Sequence, residues 1–442
     1  MLGFSMIQLI RNHDKKLDKK LRQSLLHLYR PFRRIPCFLH RPIENLMKKF
    51  KRYPVVIEFE NKDVPLSSAV NKAHHVMKPE ARSELIHQYH SICCCSAVLT
   101  ASTIEKLMNS DCSIKKIHYD REVTALLDVA SPAVHATQLN EQGLTGKDIN
   151  IAVVDTGIYP HEDLKQPSDR IVAFKDFINN QTEPYDDNGH GTHCAGDAAG
   201  NGFSSNGKYK GPAPEAGVIG VKVLNQMGSG SLSTIVAGIQ WCIDNKQKHQ
   251  IDVISLSLGA AADESNCNDP LVQIVEQAWA AGIVVCVAAG NSGPDQRTIG
   301  TPGISSKVVT VGAMDDKNTT DRADEQIASF SSRGPACGEE SKPDLLAPGV
   351  NIISLRAPGS FLDKTSKSGR VDSNYFSLSG TSMATPICAG VAALILQNNP
   401  GFSPDQVKQN LLQGSVDKGL PAYAQGAGYL DAEQAVKNSN GN

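Results

Sequence analysis

A chain of 442 residues, 40% hydrophobic and 20% charged, can bury a sizeable core and is too long for one average domain, so a large domain preceded by a smaller unit is expected. No apolar run approaches the ~20 residues that span a bilayer, and fibre-like low-complexity tracts are missing. The net charge of -2 hides an asymmetry: residues 1–52 hold 14 Lys+Arg against 3 Asp+Glu, a head of +11 on a body of -13.

The opening Met1-Leu-Gly-Phe-Ser-Met-Ile-Gln-Leu-Ile10 has no basic stretch before its apolar run and no small-residue cleavage pattern after it, so no secretory signal is expected. The 11 cysteines are odd in number, include consecutive Cys93, Cys94 and Cys95, and show no CxxC spacing. They read as thiols of a reducing compartment rather than a disulfide framework, and cytoplasmic residence is expected. In the basic extension, residues 1–52, Leu17, Leu21, Leu25 and Leu28 recur at helical spacing among Lys16, Lys19, Lys20 and Arg22, which predicts a basic amphipathic helix ending before Pro31. An anionic membrane surface, a nucleic acid, the acidic body and plain solvent are all open to such a head, and docking on the rest of the chain explains the leucines equally well.

Residues 53–128 read as a small α+β unit. Tyr53–Glu60 predicts a strand, a polar helical stretch follows to about Tyr89, and Ser91–Thr100 predicts a second strand. Ser102-Thr-Ile-Glu105 has the spacing of a capping box, and Ile114–Tyr119 and Glu122–Leu127 are extended.

A larger domain, residues 131–442, follows. Apolar runs at Ile149–Asp155, Gly217–Leu224, Asp252–Gly259, Ile283–Gly290 and Val308–Gly312, each followed by a glycine-bearing turn and a helical stretch, predict strands buried on both faces. The fold class is therefore α/β, a mainly parallel sheet between helices, with its site at the carboxyl ends of the strands.

Four segments carry chemistry. Asp155 closes an apolar strand before Thr156-Gly157, where a carboxylate also serves as an ordinary turn former. Glycines flank His190 in Asn188-Gly-His-Gly-Thr-His-Cys-Ala-Gly196, and the other reading is a metal pair of His190 and His193, three apart, although no further ligand stands at zinc-like spacing. Ser382 in Ser379-Gly-Thr-Ser-Met-Ala-Thr-Pro386 heads a buried helix, where free amides favour a developing oxyanion and where a serine also serves as a simple cap. Pro386 suggests a kink there. Asn291 ends the run Val287-Ala-Ala-Gly-Asn, as an amide donor above the sheet or as a turn residue before Ser292-Gly293.

In the order Asp, His, Asn, Ser, these segments resemble the subtilisin-like serine proteases, over roughly residues 131–440 and including Gly426-Ala-Gly-Tyr-Leu-Asp-Ala432. Within the family the chain looks like the AprX-type intracellular alkaline proteases. An α/β-hydrolase runs Ser, acid, His around G-x-S-x-G, whereas this chain has Gly380-Thr-Ser382-Met-Ala384. The resemblance implies a three-layer fold behind a prodomain-like unit, and a serine endopeptidase with Asp155, His190 and Ser382 as its triad and Asn291 as oxyanion donor. By the same resemblance Gly228, Ser229 and Gly230 and Ser257, Leu258 and Gly259 form two edge strands that clamp protein or peptide substrates, and Gly300 floors an open pocket. No acidic residue adjoins Gly300 in sequence, so cleavage after large apolar residues is expected.

The chemistry implied requires no cofactor. Structural calcium is open: Asp163 matches a family ligand, but Asn201-Gly-Phe-Ser-Ser-Asn-Gly207 replaces the loop that completes that site. The segment with Asp315, Asp316, Asp321, Asp324 and Glu325 reads as a calcium site or a solvated loop. Cys194 matches a thiol found below the catalytic histidine in one branch, and as a small buried hydrophobe it needs no function. Residues 53–128 resemble an inhibitory prodomain, the chain's own partner, with Thr124–Asp128 in the cleft and processing between Leu127 and His135. A permanent accessory domain is the other reading of that unit.

Overall fold

The structure, a computed structural model, describes residues 5–29, 40–60, 66–79, 82–110, 112–120, 122–125, 133–262, 269–317 and 325–438. It divides into two compact units, Met1–Arg121 with Ser231–Ala237, and Glu122–Gly230 with Gly238–Asn442.

The first unit is built on an antiparallel sheet of β1 (Arg52–Phe59), β2 (Glu84–Tyr89), β3 (Cys94–Thr100) and β4 (Ile114–Tyr119), in the order β2-β3-β1-β4. The helical stretch expected to reach Tyr89 instead stops at Met77, and β2 follows. As an edge strand that is largely exposed, β2 lacks the apolar alternation that announces a strand. The capping box expected at Ser102 is also corrected. β3 runs up to Thr100, whose hydroxyl accepts the Thr103 N–H at 3.1 Å and caps the helix Ala101–Met108.

In the basic head, helices span Ser5–Asn12, Lys19–Leu26 and His40–Phe50. Leu17, Leu21, Leu25 and Leu28 are at most 2% exposed and share a core with Ile57, Leu99, Ile104 and Ile117. The leucine stripe is therefore spent on docking within this unit. No apolar face made of these leucines is left to lie in a membrane.

The second unit is α/β. Its strands are β5 (Glu122–Ala125), β6 (Asn150–Asp155), β7 (Ile171–Asp176), β8 (Gly217–Lys222), β9 (Ser229–Ser231), β10 (Ile251–Leu256), β11 (Leu258–Gly259), β12 (Val284–Ala288), β13 (Val309–Asp315), β14 (Gln326–Ile327), β15 (Leu345–Pro348) and the antiparallel pair β16 (Ile352–Leu355) and β17 (Tyr375–Leu378). The main sheet runs β14-β13-β12-β10-β6-β8-β7 with β15 also beside β13, and the described pairings are parallel except β13 with β14. The expected buried strands β6, β8, β10, β12 and β13 make its centre. The helix Thr381–Asn398, buried from Thr381 to Leu396, packs on β10, β12 and β13 and against the helix His190–Ala199.

A smaller sheet sets β5 between β9 and β11, with Ala125 opposite Leu258 and Thr124 opposite Gly259 in antiparallel register. Leu127, Asp128 and most of the expected processing segment lie outside the described residues, as do Asp321 and Asp324. Cys93, Cys94, Cys95, Cys112, Cys194, Cys242, Cys286 and Cys388 are free thiols. Cys337 is disulfide-bonded, which corrects the reading of the cysteines at that position. Among the described residues no helix is long and apolar enough to cross a membrane.

Candidate active site

Asp155 ends β6 at the carboxyl edge of the sheet, and His190 opens the helix that follows the loop after β7. They meet because Gly191 has no side chain: a Cβ there would lie 2.2 Å from the Gly157 carbonyl oxygen and 3.1 Å from Asp155 Cβ. The His190 Nδ1–H donates to Asp155 Oδ1 at 2.8 Å, and both side chains are fully buried. Burial favours the neutral imidazole, but the Asp155 carboxylate, followed by Cys194, more than offsets it, and His190 is held well above the ordinary histidine value.

The turn before His190 is organised by Asp186, which motif reading passed over. Its Oδ1 accepts from Thr156 Oγ1, Asn188 N and Gly189 N, and its Oδ2 from Thr192 N and Oγ1. Lys222 at the end of β8 also went unnoticed. Its buried ammonium donates to the Thr156 carbonyl, to Leu224 O at 3.0 Å and to Asp187 Oδ1 at 2.6 Å. An aspartate four residues before the histidine, in an Asp-x-Asn-Gly turn, was the available signal for Asp186.

Ser382 lies in the first turn of the Thr381–Asn398 helix, as expected. The helix continues through Pro386, which has no N–H to give to the Ser382 carbonyl one turn back. That carbonyl instead accepts from Ser257 Oγ at 2.7 Å and Cys194 Sγ at 3.5 Å. The Ser382 hydroxyl donates to Ser257 O at 3.3 Å. Ser257, which lies between β10 and β11 and not in the edge strand expected of it, therefore grips the residue that motif reading takes as nucleophile.

Cys194 is fully buried, with Sγ 3.8 Å from His190 Nδ1, so one thiol touches both His190 and Ser382. Burial pushes this thiol up to about 11, with His190 pulling the other way, so at neutral pH it is an S–H donor and not a thiolate. Asp155, His190 and Cys194 hold ligand atoms within 4.8 Å of one another, though His190 and Asp155 already use theirs on each other. The alternative metal pair fails, because His193 turns away: Nδ1 meets Asp197 Oδ2 at 2.9 Å and Nε2 meets the Phe376 carbonyl at 3.1 Å.

Asn291 follows β12, and its Oδ1 accepts Thr381 N at 3.0 Å and Thr381 Oγ1 at 3.1 Å. Its side chain is thereby anchored beside Ser382, with the NH2 end remaining as the donor. Asn291, Gly259 and Gly300 border one cavity of about 500 Å3, whose apolar wall includes Ile299, Ile304 and Ala336. A Cβ on Gly300 would stand 3.0 Å from the Ala260 carbonyl oxygen, so any side chain there makes that neighbour shift. Glu339, nearly forty residues beyond Gly300 in the chain, also lines it and pairs with Arg297 at 2.7 Å. Neither this cavity nor a larger one of about 900 Å3 is lined by Asp155, His190 or Ser382, so volume does not mark the site, and the smaller one borders it through Asn291.

Gly228, Ser229 and Gly230 fall in and before β9, and Leu258 and Gly259 form β11, the strands on either side of β5. Asp163 is fully buried, with Oδ1 accepting Ser204 N at 2.9 Å and Oδ2 accepting Tyr375 OH at 2.7 Å. Protein donors thus hold both oxygens where the resemblance would put a calcium ligand.

A catalytic imidazole–carboxylate pair beside a helix-leading serine is what acyl transfer to a hydroxyl requires. The Peptidase_S8 model, the subtilase family, matches residues 146–429. The chain is 53% identical to serine protease AprX of Bacillus subtilis over 99% of each protein. It is 33% identical to a thermostable alkaline protease of Halalkalibacterium halodurans over 88% of this chain and 92% of that one, and 36% identical to subtilisin DY of Bacillus licheniformis over 69% and 97%. With this fold, this pair of groups and these matches, the chain belongs to the subtilase family and is a serine endopeptidase.

Proposed function

We propose that Asp155, His190 and Ser382 are the catalytic triad and Asn291 the oxyanion donor. The observation that carries this reading is the buried 2.8 Å bond from His190 to Asp155, with Cys194 in contact with both His190 and the Ser382 carbonyl. His190 takes the Ser382 proton as the oxygen attacks the peptide carbonyl. Asp155 fixes the imidazole tautomer and stabilises the imidazolium. Asn291 and the Ser382 amide receive the oxyanion, and a lost donor of this kind costs ~100- to 1000-fold in turnover. The C–N bond breaks as His190 returns the proton to the amine, and water then cleaves the acyl-enzyme by the same route. Labelling with a fluorophosphonate and mapping the modified peptide tests the assignment. Label on Ser382, and a loss of about 10^6 in kcat in Ser382→Ala, are expected; label elsewhere overturns it.

The cavity floored by Gly300 is read as the acceptor of the residue before the scissile bond, favouring large apolar side chains. Residues 53–128 are read as an inhibitory unit, with the pairing of Thr124 and Ala125 to β11 as support, because β9 and β11 are the strands assigned to substrate. Residence in the cytoplasm is supported by the eight free thiols among the described residues, opposed by the disulfide at Cys337, and tested by cell fractionation. The basic head touches an anionic surface through charge alone, so salt abolishes any such binding. The segment with Asp315, Asp316, Asp321, Asp324 and Glu325 is read either as a calcium site or as a solvated loop, and a melting temperature unchanged by chelator decides for the loop.

A further inference from the structure

We propose that the ion pair between Arg297 and Glu339 sets the charge selectivity of the cavity floored by Gly300. This rests on the reading of that cavity as the acceptor of the residue before the scissile bond. Among the described residues that line it, Arg297 and Glu339 are the only charged ones; the rest are small or apolar apart from Asn291, Ser292, Thr298 and Cys337. The cavity therefore holds one positive and one negative group, 2.7 Å apart, against a wall of Ile299, Ile304 and Ala336.

The pair is held where it is. Arg297 N donates to Gly334 O at 3.1 Å, Thr298 N to Arg333 O at 2.9 Å, and Arg333 N returns to Thr298 Oγ1 at 2.9 Å. Ala336 N bonds Glu340 O at 2.8 Å, which closes the loop that carries Glu339, and Cys337 on the same loop is disulfide-bonded. Both charged residues adopt left-handed backbone, φ +59° at Arg297 and +62° at Glu339, a conformation that non-glycine residues keep where the surroundings enforce it, often at functional sites.

The side chains are 47% and 71% exposed, so in the empty enzyme water screens the pair and it is weak. A bound side chain shields it and strengthens every charge interaction at the mouth. An apolar side chain leaves the pair intact. A lysine must compete with Arg297 for Glu339, and a glutamate must compete with Glu339 for Arg297. Each partner thus screens out the charge that the other would attract, and the cavity selects neutral, apolar residues through mutual neutralisation.

The test compares kcat/KM on peptides that differ only in Phe, Ala, Lys or Glu before the scissile bond, for Arg297→Ala, Glu339→Ala, the double variant and Gly300→Val, with thermal midpoints measured alongside. Arg297→Ala is expected to raise the Lys-to-Phe ratio about tenfold, and Glu339→Ala the Glu-to-Phe ratio about tenfold. The double variant returns both ratios to within about twofold of the parent. Gly300→Val lowers Phe relative to Ala by filling the floor. Ratios that do not move, or move together in both single variants as a loosened loop would make them, overturn the proposal while Gly300→Val still upholds the cavity. A Gly300→Val enzyme with an unchanged Phe-to-Ala ratio overturns the cavity reading and the proposal with it.

Discussion

Pro386 frees the carbonyl of Ser382, and Ser257 and Cys194 take it up, so the serine's backbone is gripped from two directions by side chains that the sequence marked for other reasons. On the other side, Asp155 holds His190 well above the ordinary histidine value of 6.5, against the pull of burial. Only the neutral imidazole can accept a proton from Ser382, so activity is absent while His190 is protonated and rises as pH climbs through its raised pKa. The acid limb of kcat/KM is therefore expected above pH 6.5, and Asp155→Asn should move it down while lowering kcat about 10^4-fold. An acid limb that Asp155→Asn leaves in place would count against the assignment. At this scale the sequence was most readable: Asp155, His190, Asn291 and Ser382 all stood out by motif. Glu339 did not, because nearly forty residues separate it from the Gly300 whose cavity it borders, and only folding makes them neighbours.

Asp186 binds the turn between β7 and the His190 helix through five donors, from Thr156 Oγ1, Asn188 N, Gly189 N, Thr192 N and Thr192 Oγ1. Each buried donor stranded without its acceptor costs about 1–3 kcal/mol before relaxation, so Asp186→Ala is expected to lose about 3 kcal/mol overall. Denaturant titration reads that loss. A kcat that falls with little change in KM marks the displaced His190, and full stability would show that water replaces the carboxylate. Elements were legible where burial is two-sided: the Val, Ile and Ala runs of β6, β8, β10, β12 and β13 announce themselves. Strands at the margins, β2 and β7, carry mixed and exposed residues, and β2 reads as helix. The cap at Thr100 was misassigned because Ser102 and Glu105 satisfy the spacing of a box two residues too late.

The two units carry separate pH liabilities. In the first, Glu58 is 4% exposed, and although burial opposes it, His118 at 3.1 Å and Lys115 at 2.6 Å hold its carboxyl down from 4.5 to about 2. A depressed carboxyl stabilises the fold above its unfolded pKa, and that share, at most about 3 kcal/mol, disappears as pH falls from about 4.5 through about 2. Lys115 is 54% exposed, so screening trims the figure. Acid should unfold this unit progressively over that interval, as followed by circular dichroism, and Glu58→Gln should flatten the dependence. The change of texture near Tyr53 marks no division between the two units, since residues on both sides of it fall in the first and the second begins at Glu122, and the docking of the leucine-bearing head was one of several readings until Leu17, Leu21 and Leu25 proved buried. The seat of β5 between β9 and β11 has a kinetic corollary. A segment joined covalently to the body it occupies faces an effective concentration in the millimolar range that dilution does not change. If residues 53–128 inhibit as proposed, relief by thinning the solution begins only once the connecting peptide is cut, so a lag that shortens on dilution dates the cut.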